Sequence, residues 1–253
     1  MIEMSDGARR SGSAALEFAK SGALVAVSHS GGKDSQAMLI KLRQWEVPLE
    51  NVVLFHANLG RVAWPHTVAH IERYARGLEI VLCPAKTDLL TRVRQRGMWP
   101  SPSMRWCTSD LKTGPIEREI RRHLKKNPRF GGRVISCMGI RAAESAQRRK
   151  KTAFRRSERN SRAGRDWWEW LPIFEMSTAE VFETIKQSQE QPHYAYALGM
   201  SRLSCRFCIM ASEADLRISA WHNPDLLHEY AQTERDTGHT LRMDRTPISA
   251  FGA

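Results

Sequence analysis

The eight residues Ser28–Ser35, S-H-S-G-G-K-D-S, constrain the fold more than any other part of the chain. An apolar run at 23–27 (A-L-V-A-V) precedes them and a helical pattern at 36–42 (Q-A-M-L-I-K-L) follows. Strand, glycine turn and helix in that order predict a buried parallel strand that delivers the backbone to a phosphate cradle. Gly31 and Gly32 are expected to take positive φ and to let the backbone come close to a ligand, while the first N–H groups of the helix face outward. Lys33 brings a point charge for phosphate oxygens, Ser30 and Ser35 bring hydroxyls to the same end, and Asp34 can orient Lys33 or an ion. With Ser28 at the end of the strand, these residues make up the candidate nucleotide-binding set. The spacing is not that of a Walker A loop, because Asp34 follows the lysine after only two glycines.

Composition is that of a globular chain: of 253 residues, 42% are hydrophobic and 26% charged. No apolar run approaches the ~18 residues that cross a bilayer, so no membrane partner is expected. Residues 1–20 hold no apolar core of a signal peptide, from which a cytoplasmic protein is expected. Five cysteines without such a signal read as thiols or metal ligands, not as a disulfide framework.

The net charge of +12 is concentrated in one segment. Residues 116–165 hold 17 of the 39 Lys and Arg but only 4 of the 27 Asp and Glu, which leaves the rest of the chain close to neutral. Within it Arg149, Lys150, Lys151, Arg155 and Arg156 form a candidate nucleic-acid patch, and a second basic helix runs over 117–126. A solvated flexible loop, or one that closes over a nucleotide, has the same composition.

Beyond the first unit, strand and helix keep alternating. Strands are predicted at 51–56, 79–83 and 133–138, helices at 67–76, 88–96 and 111–126, and loops at 97–110 and 142–165, the second of them mobile. Further helices are expected at 178–189 and 224–237. This alternation predicts an α/β fold, a doubly wound, mostly parallel sheet with ligands at the carboxyl ends of its strands. Residues 18–175 are expected to form a nucleotide-binding domain, and 176–253 a C-terminal helical region that carries Cys205-x-x-Cys208.

Four ordered segments resemble one known superfamily. S-G-G-K-D-S at 30–35 is similar to the loop of the PP-loop ATP pyrophosphatases, which adenylate a substrate and release pyrophosphate or, in a reductase branch, bind a sulfonucleotide. The segment 105–112 (R-W-C-T-S-D-L-K) with Pro115 resembles the cysteine, lysine and proline of sulfonucleotide reductases. Gly139, Arg141, Glu144, Ser145 and Arg148 resemble their G-x-R-x-x-E-S-x-x-R run, and residues 198–208 resemble the segment ending C-x-x-C that completes an iron-sulfur site. The likeness is to the phosphoadenosine phosphosulfate (PAPS) reductase-like family, including cluster-containing adenylyl-sulfate reductases and the ATP pyrophosphatases of DNA phosphorothioation. It implies an adenine nucleotide alpha hydrolase-like fold, and ATP or a sulfonucleotide bound with magnesium at Ser28, Ser30, Gly31, Gly32, Lys33, Asp34, Ser35 and Gly139. It also implies catalytic roles for Lys33, Asp34, Arg141 and Arg148, and a 4Fe-4S cluster on Cys107, Cys205 and Cys208.

Two departures narrow this expectation. Adenylyl-sulfate reductases have adjacent cysteines where this chain has Trp106 and Cys107, so three thiolates remain for a cluster that normally takes four. One iron is then left for sulfide, substrate or another ligand, which resembles thiolation enzymes of the superfamily that carry sulfur on an open iron. The reductases also end in E-C-G-L-H, whose cysteine is the nucleophile, whereas no cysteine follows Cys208 and G-H-T-L-R stands at 238–242. A structural zinc site on the three cysteines and a histidine is the alternative metal reading, although His193, His222 and His239 each read as surface or satisfied side chains. Cys83 and Cys137 read as core, and Trp167–Trp170 as aromatic core or as a platform for bases.

The expectation is therefore a PP-loop ATP pyrophosphatase with a 4Fe-4S cluster that adenylates a substrate and transfers sulfur to nucleic acid, with a sulfur-donor protein as a further partner. Two alternatives remain open: a sulfonucleotide reductase that uses an external thiol, and a non-catalytic nucleic-acid-binding module that keeps the fold.

Overall fold

The apolar run after Gly22 forms strand β1 (Leu24–Ser28), buried along nearly all its length, as a parallel strand covered on both faces must be. The computed structural model describes residues 6–252, so the first five residues of the segment read for a leader lie outside the described residues. Helix α1 (Asp6–Lys20), for which no helix was predicted, precedes β1. After β1 come α2 (Lys33–Gln44), β2 (Val52–Asn58), α3 (Thr67–Ala75), β3 (Glu79–Pro84) and α4 (Leu89–Arg96). The chain continues through the short α5 (Trp106–Thr108), α6 (Gly114–Lys126), β4 (Arg133–Met138) and the single turn α7 (Ala146–Arg149). Strands β5 (Phe154–Arg156) and β6 (Asp166–Trp170) and helices α8 (Thr178–Gln187), α9 (Glu213–His222) and α10 (Pro224–Thr237) complete it.

Six strands form one sheet in the order β3-β2-β1-β4-β6-β5. β1 runs parallel to β2 and β4, β4 runs parallel to β6, and β5 is antiparallel to β6, so the sheet is mostly parallel and the fold is α/β as predicted. The order reverses between β1 and β4, where an open α/β sheet opens its ligand crevice. Ser28 at the end of β1 lies beside Met138 at the end of β4, which makes neighbours of the two loops that follow.

The segment 142–165 is not the mobile loop that its charge suggested. It contains α7 and β5, and β5 pairs in register with β6, Arg155 opposite Glu169 and Arg156 opposite Trp168. Opposite charges across this hairpin, Arg155 with Glu169 and Arg156 with Asp166, make basic residues compatible with a strand. Trp167 and Trp170 are buried, and Trp170 stacks on Trp45 with centroids 5.6 Å apart. These two rings belong to the core and are not a platform for bases. The predicted loop 97–110 also ends in structure, with α5 leading into a π-helical turn over Ser109–Thr113 before α6 begins.

The chain divides into two compact units. The first gathers residues up to 56 with 68–81 and 118–192, around a core that includes Val25, Val27, Leu39, Leu54, Ile135 and Trp170. Buried Glu190 braces it, accepting from Gln36 and pairing with Arg43 and Arg76. The second unit gathers 57–67, 82–117 and 193–253, around Leu90, Trp99, Trp106, Phe207, Tyr230 and Ile248. Glu234 on α10 accepts the N–H groups of Leu241 (2.7 Å) and Ile248 (2.9 Å), which ties the following chain to that helix. Among the described residues no helix is long and apolar enough to cross a membrane.

Candidate functional site

The loop after β1 is pinned to the sheet by the His29 N–H, which donates to Phe55 O at 3.0 Å. Gly31 takes φ +79°, the left-handed region that glycine tolerates, whereas Gly32 is extended at φ −83° and caps α2. Only Gly31 of the two expected glycines is thus used for positive φ. The helix opens at Lys33, earlier than its apolar pattern begins, so Lys33, Asp34 and Ser35 form its first turn. No side chain caps that end, which leaves an N-terminus suited to an anion.

The loop satisfies its own donors through side chains that a ligand could displace. Ser30 N–H donates to Ser35 Oγ (3.2 Å), Gly31 N–H to His29 Nδ1 (3.2 Å) and Gly32 N–H to Ser30 Oγ (3.4 Å). Accepting at Nδ1 requires a neutral imidazole on that nitrogen, and burial, reinforced by His56, His70 and Arg43, pulls the His29 pKa down to about 3. His56 Nδ1 lies 2.8 Å from His29 O. Neither histidine was singled out in the sequence, because their roles depend on burial and not on a motif.

The charged residues form a relay. Lys33 is buried with its Nζ 2.9 Å from Asp34 Oδ2, and Asp34 Oδ1 accepts from Arg141 Nε at 2.7 Å. Arg141, buried in the loop after β4, also donates to Met176 O (3.1 Å) and Thr178 Oγ1 (3.2 Å). Gly139 permits this approach: a Cβ there would stand 3.0–3.1 Å from backbone atoms of Asp34 and Ser35. Arg148 on α7 pairs with Glu144. Arg149, Lys150 and Lys151 are exposed and form no ion pair among the described residues, unlike exposed Arg155 and Arg156.

The second unit brings the three predicted cysteines into one apolar cluster. Cys205 is buried there with Trp106, Phe207 and Tyr230, and Cys107 and Cys208 lie against it. The π-helical turn that follows α5 carries Lys112, and it depends on Gly114, where a Cβ would stand 2.7 Å from Ser109 O. The Lys112 pKa is raised, chiefly by Cys205 with help from Cys208 and Cys107 and against the effect of burial. Burial pushes the Cys107 and Cys205 thiols up, and Lys112 opposes it in both. Trp106 Nε1, Arg206 Nε and Tyr230 Oη are buried without a hydrogen-bond partner. Three thiols, an ammonium group and unpaired donors in an apolar setting fit a group that has thiolate ligands and exposes sulfur acceptors. Among the described residues no group of three or more His, Cys, Asp or Glu could hold a metal ion, whereas a cluster spreads its thiolates over separate irons. Cys83 and Cys137 are buried in strands, and burial pushes the Cys137 thiol up.

A mostly parallel sheet with this glycine loop at its switch point is the α/β architecture of the PP-loop type. Residues 24–211 match the phosphoadenosine phosphosulfate reductase domain family, and the chain belongs to it. It is 27% identical over 184 residues to an uncharacterized protein of Methanocaldococcus jannaschii, a match that covers 73% of this chain and 36% of that one. The chain thus spans about a third of the length of that curated relative. Among solved structures it is similar to PAPS reductase from Candida auris in its phosphate complex, at 13% identity over 81% of this chain and 97% of that one, with a TM-score of 0.48. It is also similar to the U34-tRNA thiolase of Methanococcus maripaludis with its 4Fe-4S cluster, at 14% identity over 95% and 86%, with a TM-score of 0.44.

Proposed function

We propose that the chain is an ATP pyrophosphatase that activates an oxygen of a nucleic acid and exchanges it for sulfur, with a 4Fe-4S cluster on Cys107, Cys205 and Cys208. The observation that carries this reading is the donor set of the second unit: Cys107, Cys205 and Cys208 gathered in one apolar cluster, with Lys112 under the influence of all three. Lys33 and the first-turn amides of α2 hold the β- and γ-phosphates, Ser28, Ser30 and Ser35 border the cradle, and magnesium would supply charge neutralisation to the leaving pyrophosphate. Asp34 positions Lys33, and Arg141 positions Asp34. Arg148 is offered to a substrate phosphate, and the exposed Arg149, Lys150 and Lys151 to the polyanion.

The substrate oxygen attacks the α-phosphorus, the bond from that phosphorus to the bridging oxygen breaks, and pyrophosphate leaves. Hydrosulfide, a co-reactant from the sulfur donor, then attacks the activated atom through its lone pair, the bond from that atom to the adenylated oxygen breaks, AMP departs with the oxygen, and the S–H proton goes to solvent. An iron-sulfur cluster with one iron free of cysteine supplies, when bound, a place to hold sulfur. Lys112 opposes the burial that pushes the Cys107 and Cys205 thiols up.

Family membership favours a second reading, reduction of a sulfonucleotide with a thiol from another protein. Two assays on one preparation separate them. Pyrophosphate exchange into ATP that depends on nucleic acid is expected here. Sulfonucleotide reduction with an added thiol and without exchange would establish the reductase, and nucleic-acid binding with neither activity would make the chain a binding module.

A further inference from the structure

Tyr230 on α10 is fully buried, stacked on Trp99 with centroids 5.3 Å apart and tilted against Phe207, inside Cys205-x-x-Cys208, at 5.0 Å. Two aromatic neighbours therefore fix the ring, and phenylalanine would fill the same space. The hydroxyl it carries has no hydrogen-bond partner, a state that is costly in a protein interior. Cys107, Cys205 and Cys208 all act on this hydroxyl electrostatically, yet none of their sulfurs is bonded to it. Trp106 Nε1 and Arg206 Nε, each next in sequence to one of these cysteines, are likewise buried and unpaired. Indole and guanidinium N–H groups only donate, and a phenol readily does, so the partner that all three lack is an acceptor.

We propose that the Tyr230 hydroxyl donates a hydrogen bond to a sulfide of the iron-sulfur group on Cys107, Cys205 and Cys208, and is a positioning residue that sets the reduction potential of that group. The inference rests on the cluster reading above. A donor at a sulfide stabilises the reduced, more negative state more than the oxidised one, so Tyr230 raises the potential. Tyr230→Phe removes the oxygen and keeps the ring between Trp99 and Phe207.

The test compares full-length wild type and Tyr230→Phe, loaded anaerobically with iron and sulfide, desalted, and titrated redox-potentiometrically with EPR detection. Equal iron content is expected, with the ratio of oxidised to reduced cluster about tenfold higher in the variant at a fixed potential, a fall of about 59 mV for a one-electron couple. Before loading, the variant should melt no lower than wild type, since an unpaired buried hydroxyl has been removed. Equal midpoint potentials in two coloured proteins overturn the inference and leave the cluster reading standing. A lower melting temperature in the metal-free variant also overturns it, because the hydroxyl is then paired within the protein. Wild type that takes up no iron overturns both.

Discussion

Lys33 and Arg141 stand on either side of Asp34, and the difference in what they do can be measured. Lys33→Ala is expected to weaken ATP binding at least tenfold, through a charge-assisted contact worth about 1.5–3 kcal/mol, while Asp34 keeps Arg141 and stability changes little. Arg141→Ala is expected to destabilise the fold by about 3 kcal/mol, because it strips Asp34, Met176 O and Thr178 of a buried partner. Calorimetric titration with ATP and denaturant unfolding check the pair, and unchanged ATP affinity in Lys33→Ala would sink the cradle. His29 makes a separate prediction. Its folded pKa of about 3 lies below the ordinary 6.5, so the unfolded chain binds the extra proton. Stability from this group is complete above pH about 6.5 and falls by up to about 1.4 kcal/mol per pH unit as the pH drops towards 3. His29→Asn, which keeps an acceptor for Gly31 N–H, should flatten the slope, although His70, lowered to about 4 mainly by burial, leaves part of it. An equal slope in unfolding curves at about pH 7 and pH 4.5 would refute it. Lys33, Asp34 and Arg141 were legible because their motif fixes residue types. The direction in which Arg141 spends its donors was not, since it depends on Met176 and Thr178 arriving from another part of the chain.

Whole elements were legible where one pattern determined them, as in β1, a continuous apolar run, and α2, a helical apolar pattern, joined by the glycine turn. β5 and β6 were hidden, because R-R at 155–156 makes sense as a strand only opposite W-W-E-W at 167–170, and that segment only between β4 and β5. Gly114 gave no signal either, since its need arises from a carbonyl five residues back in a wide helical turn. The hairpin separates two kinds of basic residue that composition merged. Reversing Arg149, Lys150 and Lys151 to glutamate should abolish nucleic-acid binding and leave ATP affinity unchanged, each lost phosphate contact flattening the log–log salt slope by about 0.9 on duplex DNA. Reversing Arg155 and Arg156 should instead lower the stability of the protein, because it sets glutamates against Glu169 and Asp166. Filter binding across a salt series decides. A triple variant that binds like wild type would remove the patch from the function.

At the scale of the whole molecule, the two proposed sites are encoded by two separately cored units, the loop in the first and the cysteines in the second. The sequence pointed to both candidate sites but not to this division, because each unit is assembled from three stretches of chain that no linker or composition change marks. Two cores imply that each site can be lost alone. Serine at Cys107, Cys205 or Cys208 should bleach the broad absorbance near ~400 nm of anaerobically prepared protein, remove its iron and leave ATP affinity at the wild-type level. Lys33→Ala should do the reverse and lose ATP binding with full colour. Cys137→Ser provides the control: Cys137 lies in the core of β4, so burying a hydroxyl there should cost about 1–3 kcal/mol of stability without touching the iron. Iron analysis, absorbance and calorimetry on the five variants check the matrix. Colour lost in Cys137→Ser while the fold persists would mean that the ligands were wrongly chosen, and colourless wild type with stoichiometric zinc would replace the cluster with a structural site.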